Sequence, residues 1–169
     1  MAVRDGAGRF AGKDSAAGIA AALEKQVAKT AVALALQIDR NLRRAPSAGG
    51  TPVDTGHARA NWVPSVGVPH TSDVDSDSAH AAGVAAVIGY QLGSGPIYVS
   101  NAAKYVERLN MGSSQQAPAG FVERCIDEAE QAVQAKMNTP IGMSSTSADD
   151  AGGRAAVGIA DAYSPFGGD

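Results

Sequence analysis

The sequence predicts an α+β domain in which two long helices pack on a small, mostly antiparallel sheet, with extended N- and C-terminal arms. Three observations carry that expectation. Apolar residues recur every three or four positions from Ile19 to Leu42 and again from Phe121 to Val133, the spacing of one helical face. Between these segments lie short β-branched and aromatic runs set apart by Gly and Pro, the pattern of strands and turns. Residues 1–13 and 139–169 hold Gly, Ala, Ser and charge with little periodicity, which marks them as arms around a core domain over 14–138.

The first helix signal begins at Asp14-Ser15, either of which can cap the first turn. Ile19, Leu23, Val27, Ala31, Leu34, Ile38 and Leu42 then form one stripe. Arg43 and Arg44 sit where the helix dipole favours cations, and Pro46 ends the pattern. Residues 46–56 form a loop dense in breakers. A strand is expected over 58–68, with Trp62, Val63, Val66 and Val68, bent at Pro64. After the polar, acidic stretch 69–78, Ser78 can cap a helix over 79–92 whose apolar side is Val84, Val87, Ile88 and Leu92. Gly93-Ser94-Gly95-Pro96 reads as a turn before the strand Ile97-Tyr98-Val99-Ser100. A short helix over 102–110 should stop near Gly112, and the second long helix should run from Pro118 to Met137. Its buried stripe is Phe121, Val122, Cys125, Ala129, Ala132 and Val133, with Arg124 and Glu128 placed to pair.

Composition narrows the class. The 169 residues include 34 Ala and 20 Gly, but only 31 are Leu, Ile, Val or Phe. That share lies just under the ~20% at which a chain struggles to bury enough large side chains, while a net charge of −3 is too low for a disordered chain. A small core of this kind gains stability by packing against copies of itself or partners, and the arms are expected to lie against neighbouring subunits. No run approaches the ~20 apolar residues of a membrane span, and the first residues hold no secretory core. The chain is therefore expected to be made in the cytoplasm and not to enter a membrane. The lone Cys125 can form neither an internal disulfide nor a multi-cysteine metal site. An acidic chain of pI near 5.5 does not resemble a general nucleic-acid binder.

Candidate chemistry is sparse, and no catalytic, cofactor-binding or metal-binding residue is assigned. Asp73-Val74-Asp75-Ser76-Asp77 alternates carboxylates as a calcium loop does, but Ser78 and Val84 stand where Gly and Glu are required. His57, His70 and His80 lack the spacing that puts two metal ligands on one helix face. Asp54, Thr55 and His57 would be the core of a small metal-dependent hydrolase together with the 73–77 loop, yet no base, orienter and oxyanion site are assembled. The stretch reads instead as a turn in which Gly56 takes an unusual backbone angle. Gly93-Ser94-Gly95 precedes a strand and has no Lys, so it is not a phosphate loop. Cys125 lies on an apolar helix face as a small core residue. Lys29, Arg40, Arg43 and Arg44 form a modest basic stripe, read as solvated surface and dipole complement or as a DNA-facing patch.

Two segments carry a resemblance. Residues 51–62 read T-P-V-D-T-G-H-A-R-A-N-W, and residues 97–120, starting 35 positions after Trp62, read I-Y-V-S-N-A-A-K-Y-V-E-R-L-N-M-G-S-S-Q-Q-A-P-A-G. In order and spacing these resemble the P-V-D-T-G-x-x-R-x-S/N-W and I-Y-I-S-N-x-x-x-Y-x-x-x-L-E-x-G-S-S-x-Q-A-P-x-G stretches of the tail-completion and head-to-tail joining proteins of tailed bacteriophages. One position departs, Asn110 standing where that family often has an acidic residue. The resemblance covers residues 14–138 and implies a non-enzymatic structural protein of the virion, without cofactor. It implies a homo-oligomeric ring at the neck or top of the tail, in contact with neighbouring neck, connector or tail-tube proteins and with DNA passing through. A tail-assembly chaperone that leaves before the virion is complete is the alternative within the same biology. Trp62 is expected to anchor helix to sheet, and the polar loop Ser113 to Gln116 to offer backbone-rich contacts to a neighbour.

Overall fold

A computed structural model describes residues 15–74 and 77–138. The arms 1–13 and 139–169, Asp14 and the pair 75–76 lie outside the described residues, and the contacts expected of the arms lie outside with them.

The architecture is α+β, with two long helices around a two-stranded antiparallel sheet. Helix α1 spans Ala16–Arg43, and Ser15 caps it by accepting a hydrogen bond from the Gly18 N–H at 3.0 Å. It ends just before a 3-10 turn over Pro46–Ala48. Only the C-terminal half of the expected stripe is covered. Leu42 is buried and Ile38 packs on the core, but Ile19, Leu23 and Val27 stand exposed. Periodicity marks a face but cannot say how far along the helix a partner extends.

Residues 58–60, expected in a strand, form with His57 the single helical turn α2 (His57–Ala60). Gly56 begins it at φ 87°, a left-handed angle that an L side chain rarely adopts. The Asn61 side chain closes it on the His57 carbonyl at 3.1 Å. Strand β1 (Trp62–Val66) follows and pairs with β2 (Ile97–Asn101), Trp62 opposite Asn101 and Val66 opposite Ile97. Pro64 lies mid-strand, where an edge strand tolerates a missing N–H.

Helix α3 spans Ser78–Ile88, beginning one residue earlier and ending four earlier than expected. The N-cap position falls to Asp77, whose carboxylate meets Arg43 at 2.8 Å instead of capping the helix. Its buried face is His80, Val84 and Val87, while Ile88 is exposed. Gly83 explains the choice of face, because a Cβ there would run into the carbonyl oxygen of Pro64. The helix lies that close against β1.

The predicted 102–110 helix is cut to the short turn α4 (Val106–Arg108), continued by a wide turn over Leu109–Ser113. Its first residues are diverted when Asn101 Oδ1 accepts from the Ala103 N–H at 2.9 Å. Helix α5 spans Phe121–Asn138 and starts three residues after Pro118, since Gly120 takes φ 75°. Phe121, Cys125, Ala129 and Val133 are its buried side, as the spacing predicts. Glu128 pairs with Arg44 at 2.6 Å in place of the expected Arg124.

The core gathers Leu42 of α1, Trp62 of β1 and Phe121 and Cys125 of α5, together with Ala117; Val99 of β2 packs against it. Trp62 thus joins helices to sheet. A second, polar joint fixes α3 to α1, where buried His80 Nε2 meets buried Asp39 Oδ2 at 2.9 Å. No helix among the described residues is long and apolar enough to cross a membrane.

Candidate functional site

The loop after α1 is fastened by one hydroxyl. Thr51 Oγ1 donates to the Leu42 carbonyl at 2.7 Å and accepts from the Trp62 indole N–H at 2.7 Å, while the Thr51 N–H also reaches the Leu42 carbonyl at 3.0 Å. The first and last residues of the 51–62 stretch are therefore bonded to each other. Between them, the Thr55 hydroxyl accepts from the His57 N–H at 3.4 Å, closing the turn ahead of α2.

The second stretch closes on the first. The Gln116 side chain accepts from the Val53 N–H and donates to the Val53 carbonyl, both at 2.8 Å, so a primary amide imitates a strand neighbour. Asn101 Nδ2 donates to the Ala58 carbonyl at 2.7 Å. A cleft of about 240 Å³ opens between the two, lined by Pro52 to Gly56, Ala58, Tyr105, Leu109, Ser114 and Gln116. Gln116 ends the loop expected to offer backbone contacts to a neighbour; its side-chain amide is spent within the chain.

The floor of this loop continues into α5 through Asn110. Its carbonyl accepts from the Gly120 N–H at 2.7 Å and its Oδ1 from the Val122 N–H at 2.9 Å, which satisfies donors that the start of a helix leaves open. Its Nδ2 donates to both Glu123 carboxylate oxygens, at 3.0 and 2.9 Å. These bonds hold the Glu123 carboxyl below its ordinary value of 4.5. An acidic residue at 110 would face Glu123 with like charge, a physical reason for Asn at this position.

The titratable candidates divide. His57 Nε2 lies 3.0 Å from Asp73 Oδ1 and 3.4 Å from Asn61 Nδ2, and its ring stacks on Tyr105 with centroids 6.2 Å apart. Asn61 also brackets Val74, donating to its carbonyl at 3.1 Å and accepting from its N–H at 3.0 Å. His57 and Asn61 thus moor the start of the acidic run to α2. Asp77, at its other end, goes to Arg43, so Asp73 and Asp77 turn to separate partners. Among the described residues no three His, Cys, Asp or Glu side chains converge on a common metal position. His80 is committed to Asp39, and the His70 carbonyl accepts from the Ser100 hydroxyl at 2.9 Å.

The basic stripe is partly consumed inside the fold. Arg43 donates to the carbonyls of Arg59, Ala60 and Trp62 as well as to Asp77, and Arg44 pairs with Glu128. Lys29 remains exposed. Cys125 is buried with its thiol 3.4 Å from the Gly49 carbonyl, and burial pushes its pKa up, the opposite of what a reactive thiolate needs.

The polar clasps Asn61 and Asn101 were not singled out from the sequence, and Asn110 and Gln116 were noted there without these bonds. The usable signal was position, since each amide stands at the edge of a turn or strand where backbone groups lack ladder partners. Comparisons with family models, with curated proteins and with solved structures gave no match, so the reading of this cleft rests on its geometry and on the two sequence stretches that build it.

Proposed function

We propose that this chain is a structural protein of a tailed-bacteriophage virion, one subunit of a ring at the head–tail junction or the top of the tail. In this role it completes the tail, joins it to the head and leaves a passage for DNA. One observation carries the reading: the two stretches that resemble the tail-completion and joining family, separate in sequence, form a single construction through the Gln116 clasp on Val53 and the Asn101 bond to Ala58. A coupled pair of stretches is a more demanding likeness than either alone. Polar side chains around the cleft bind backbone groups and each other, which suits a rigid docking ledge.

The test is to purify the particles made where this chain is expressed, identify their proteins by mass spectrometry and image the oligomer by electron microscopy. The expected result is the chain present at a fixed copy number, with a rotationally symmetric ring. Presence in the lysate and absence from the particle would replace this reading with an assembly chaperone. Trp62→Ala is expected to abolish tailed, infectious particles, because it empties the joint between α1, α5 and the sheet.

A further inference from the structure

The cleft between the two clasped stretches has an apolar wall and a single charge. Pro52, Val53, Tyr105 and Leu109 supply the wall, and Asp54 is the one charged residue among those that line it. Tyr105 and Leu109 are half-buried, while Asp54 is exposed and has no ion pair among the described residues. The volume of about 240 Å³ exceeds the ~150 Å³ of an engineered cavity that takes up benzene. A segment that fills it brings a flat apolar side chain and, beside it, a cation.

The chain carries such a segment outside the described residues. Residues 1–13 hold Arg4, Arg9 and Lys13 against the single acid Asp5, and Phe10 is the only Phe, Tyr or Trp ahead of Trp62. Arg9 and Phe10 are adjacent, with Gly8 and Gly12 on either side, so the backbone can approach a wall with no Cβ in the way. A Phe ring against Tyr105 adds an aromatic contact to its buried area, and a guanidinium at Asp54 meets an unpaired carboxylate. The arm that reaches the cleft belongs to another copy. Helix α1 spans 28 residues, about 42 Å at 1.5 Å per residue. The cleft lies at its far end, where Thr51 bonds the Leu42 carbonyl and leads directly into Pro52. Phe10 stands six residues ahead of Ala16, at most about 22 Å of extended chain. That is roughly half the helix, so no subunit can place Phe10 in its own cleft.

We propose that the N-terminal arm of one subunit docks in the cleft of the next, Phe10 entering against Tyr105 and Leu109 and Arg9 meeting Asp54. Arm and cleft are unlike surfaces, and contacts of that kind, repeated head to tail, close into a ring when the rotation is right. The contact rests on the ring reading above and names the surfaces that hold it together.

The test places the photo-reactive p-benzoylphenylalanine at position 10 of the full chain. Light scattering gives the mass of the unaltered chain and of the labelled one, and irradiation is followed by a denaturing gel and mass spectrometry of the linked peptides. The expected result is a large species that on irradiation yields a product of twice 17.0 kDa, with position 10 joined to residues 52–58 or 105–116. Asp54→Lys in the labelled chain should lower that yield by about fivefold, and Arg9→Glu added to it should restore the yield. Circular dichroism checks the fold of each variant. Should Asp54→Lys lose its helical signal, Arg9→Glu alone, which leaves residues 15–138 untouched, should produce the same loss. A ring in which position 10 links within one chain, elsewhere or nowhere overturns this contact and leaves the ring reading standing. Links that ignore the charge reversals overturn the Arg9–Asp54 pairing. An unaltered chain that is monomeric overturns both the contact and the ring.

Discussion

Thr51→Val tests how the 51–56 loop is fastened to the core. Val is close to Thr in shape, so the substitution removes hydrogen bonds and little packing. Thr51 Oγ1 stands between the Trp62 indole N–H and the Leu42 carbonyl, 2.7 Å from each, and all three residues are buried. After substitution the Leu42 carbonyl keeps the Thr51 backbone N–H at 3.0 Å, but the indole N–H has lost its acceptor. A lost bond costs about 1 kcal/mol and a stranded buried donor about 1–3, so the total is about 2–4 kcal/mol. Urea unfolding followed by far-ultraviolet circular dichroism, a readout that every variant retains, should show a midpoint lower by roughly 1–2 M for a slope of ~2 kcal/mol/M. Measurements at one protein concentration keep any assembly term constant. Trp62→Phe removes the donor itself, so in the double variant nothing is stranded, and the two costs should fall short of additivity by about 1–2 kcal/mol. Trp62→Ala sets the scale at about 3–5 kcal/mol, the usual range for emptying a large aromatic site. A Thr51→Val protein within about 0.5 kcal/mol of the original, or a strictly additive pair, would refute the role given to this hydroxyl.

Three further outcomes are expected. His80→Ala leaves the buried Asp39 carboxylate without its partner and should cost about 3–5 kcal/mol in chemical unfolding, whereas His80→Gln, which can still donate, should recover part of it. An unchanged midpoint for His80→Ala would mean that this pair does not join α1 to α3. Gly83→Ala forces a methyl against the Pro64 carbonyl and should cost about 1–3 kcal/mol, read as a lower melting temperature. Asn110→Ala removes the donors that lower the Glu123 pKa, and a carbon-detected NMR titration should show that carboxyl moving up towards 4.5. The sign follows from the lowered folded value: the Asn110 bonds add stability above 4.5, and it is lost as pH falls through the lowered pKa. A Glu123 titration unmoved by Asn110→Ala contradicts the assignment.

Legibility followed the range of the interaction. The Ser15 cap, the end of α1 ahead of Pro46, the buried face of α5 and the left-handed Gly56 could all be read because each depends on residues within about one helical turn. Partial failures occurred where a distant group competed. Asp77 turned to Arg43, 34 positions away, rather than cap α3, while residues 58–60 left the expected strand for a local reason, the bond of Asn61 back to His57. Ile88 was assigned to the buried face of α3 because its apolarity suited it; Gly83 instead decided which side could approach β1.

By itself the sequence determined the class of the fold and the places of its two long helices, because periodicity, caps and breakers act locally. Only the tertiary structure decided that half of the α1 stripe lies open, that Gln116 closes on Val53 across 63 positions and that Asn41 reaches the Cys125 carbonyl across 84. A side-chain amide carries both a donor and an acceptor, so its partner is set by what the packed backbone leaves unsatisfied, and that is settled only once the helices and sheet have come together.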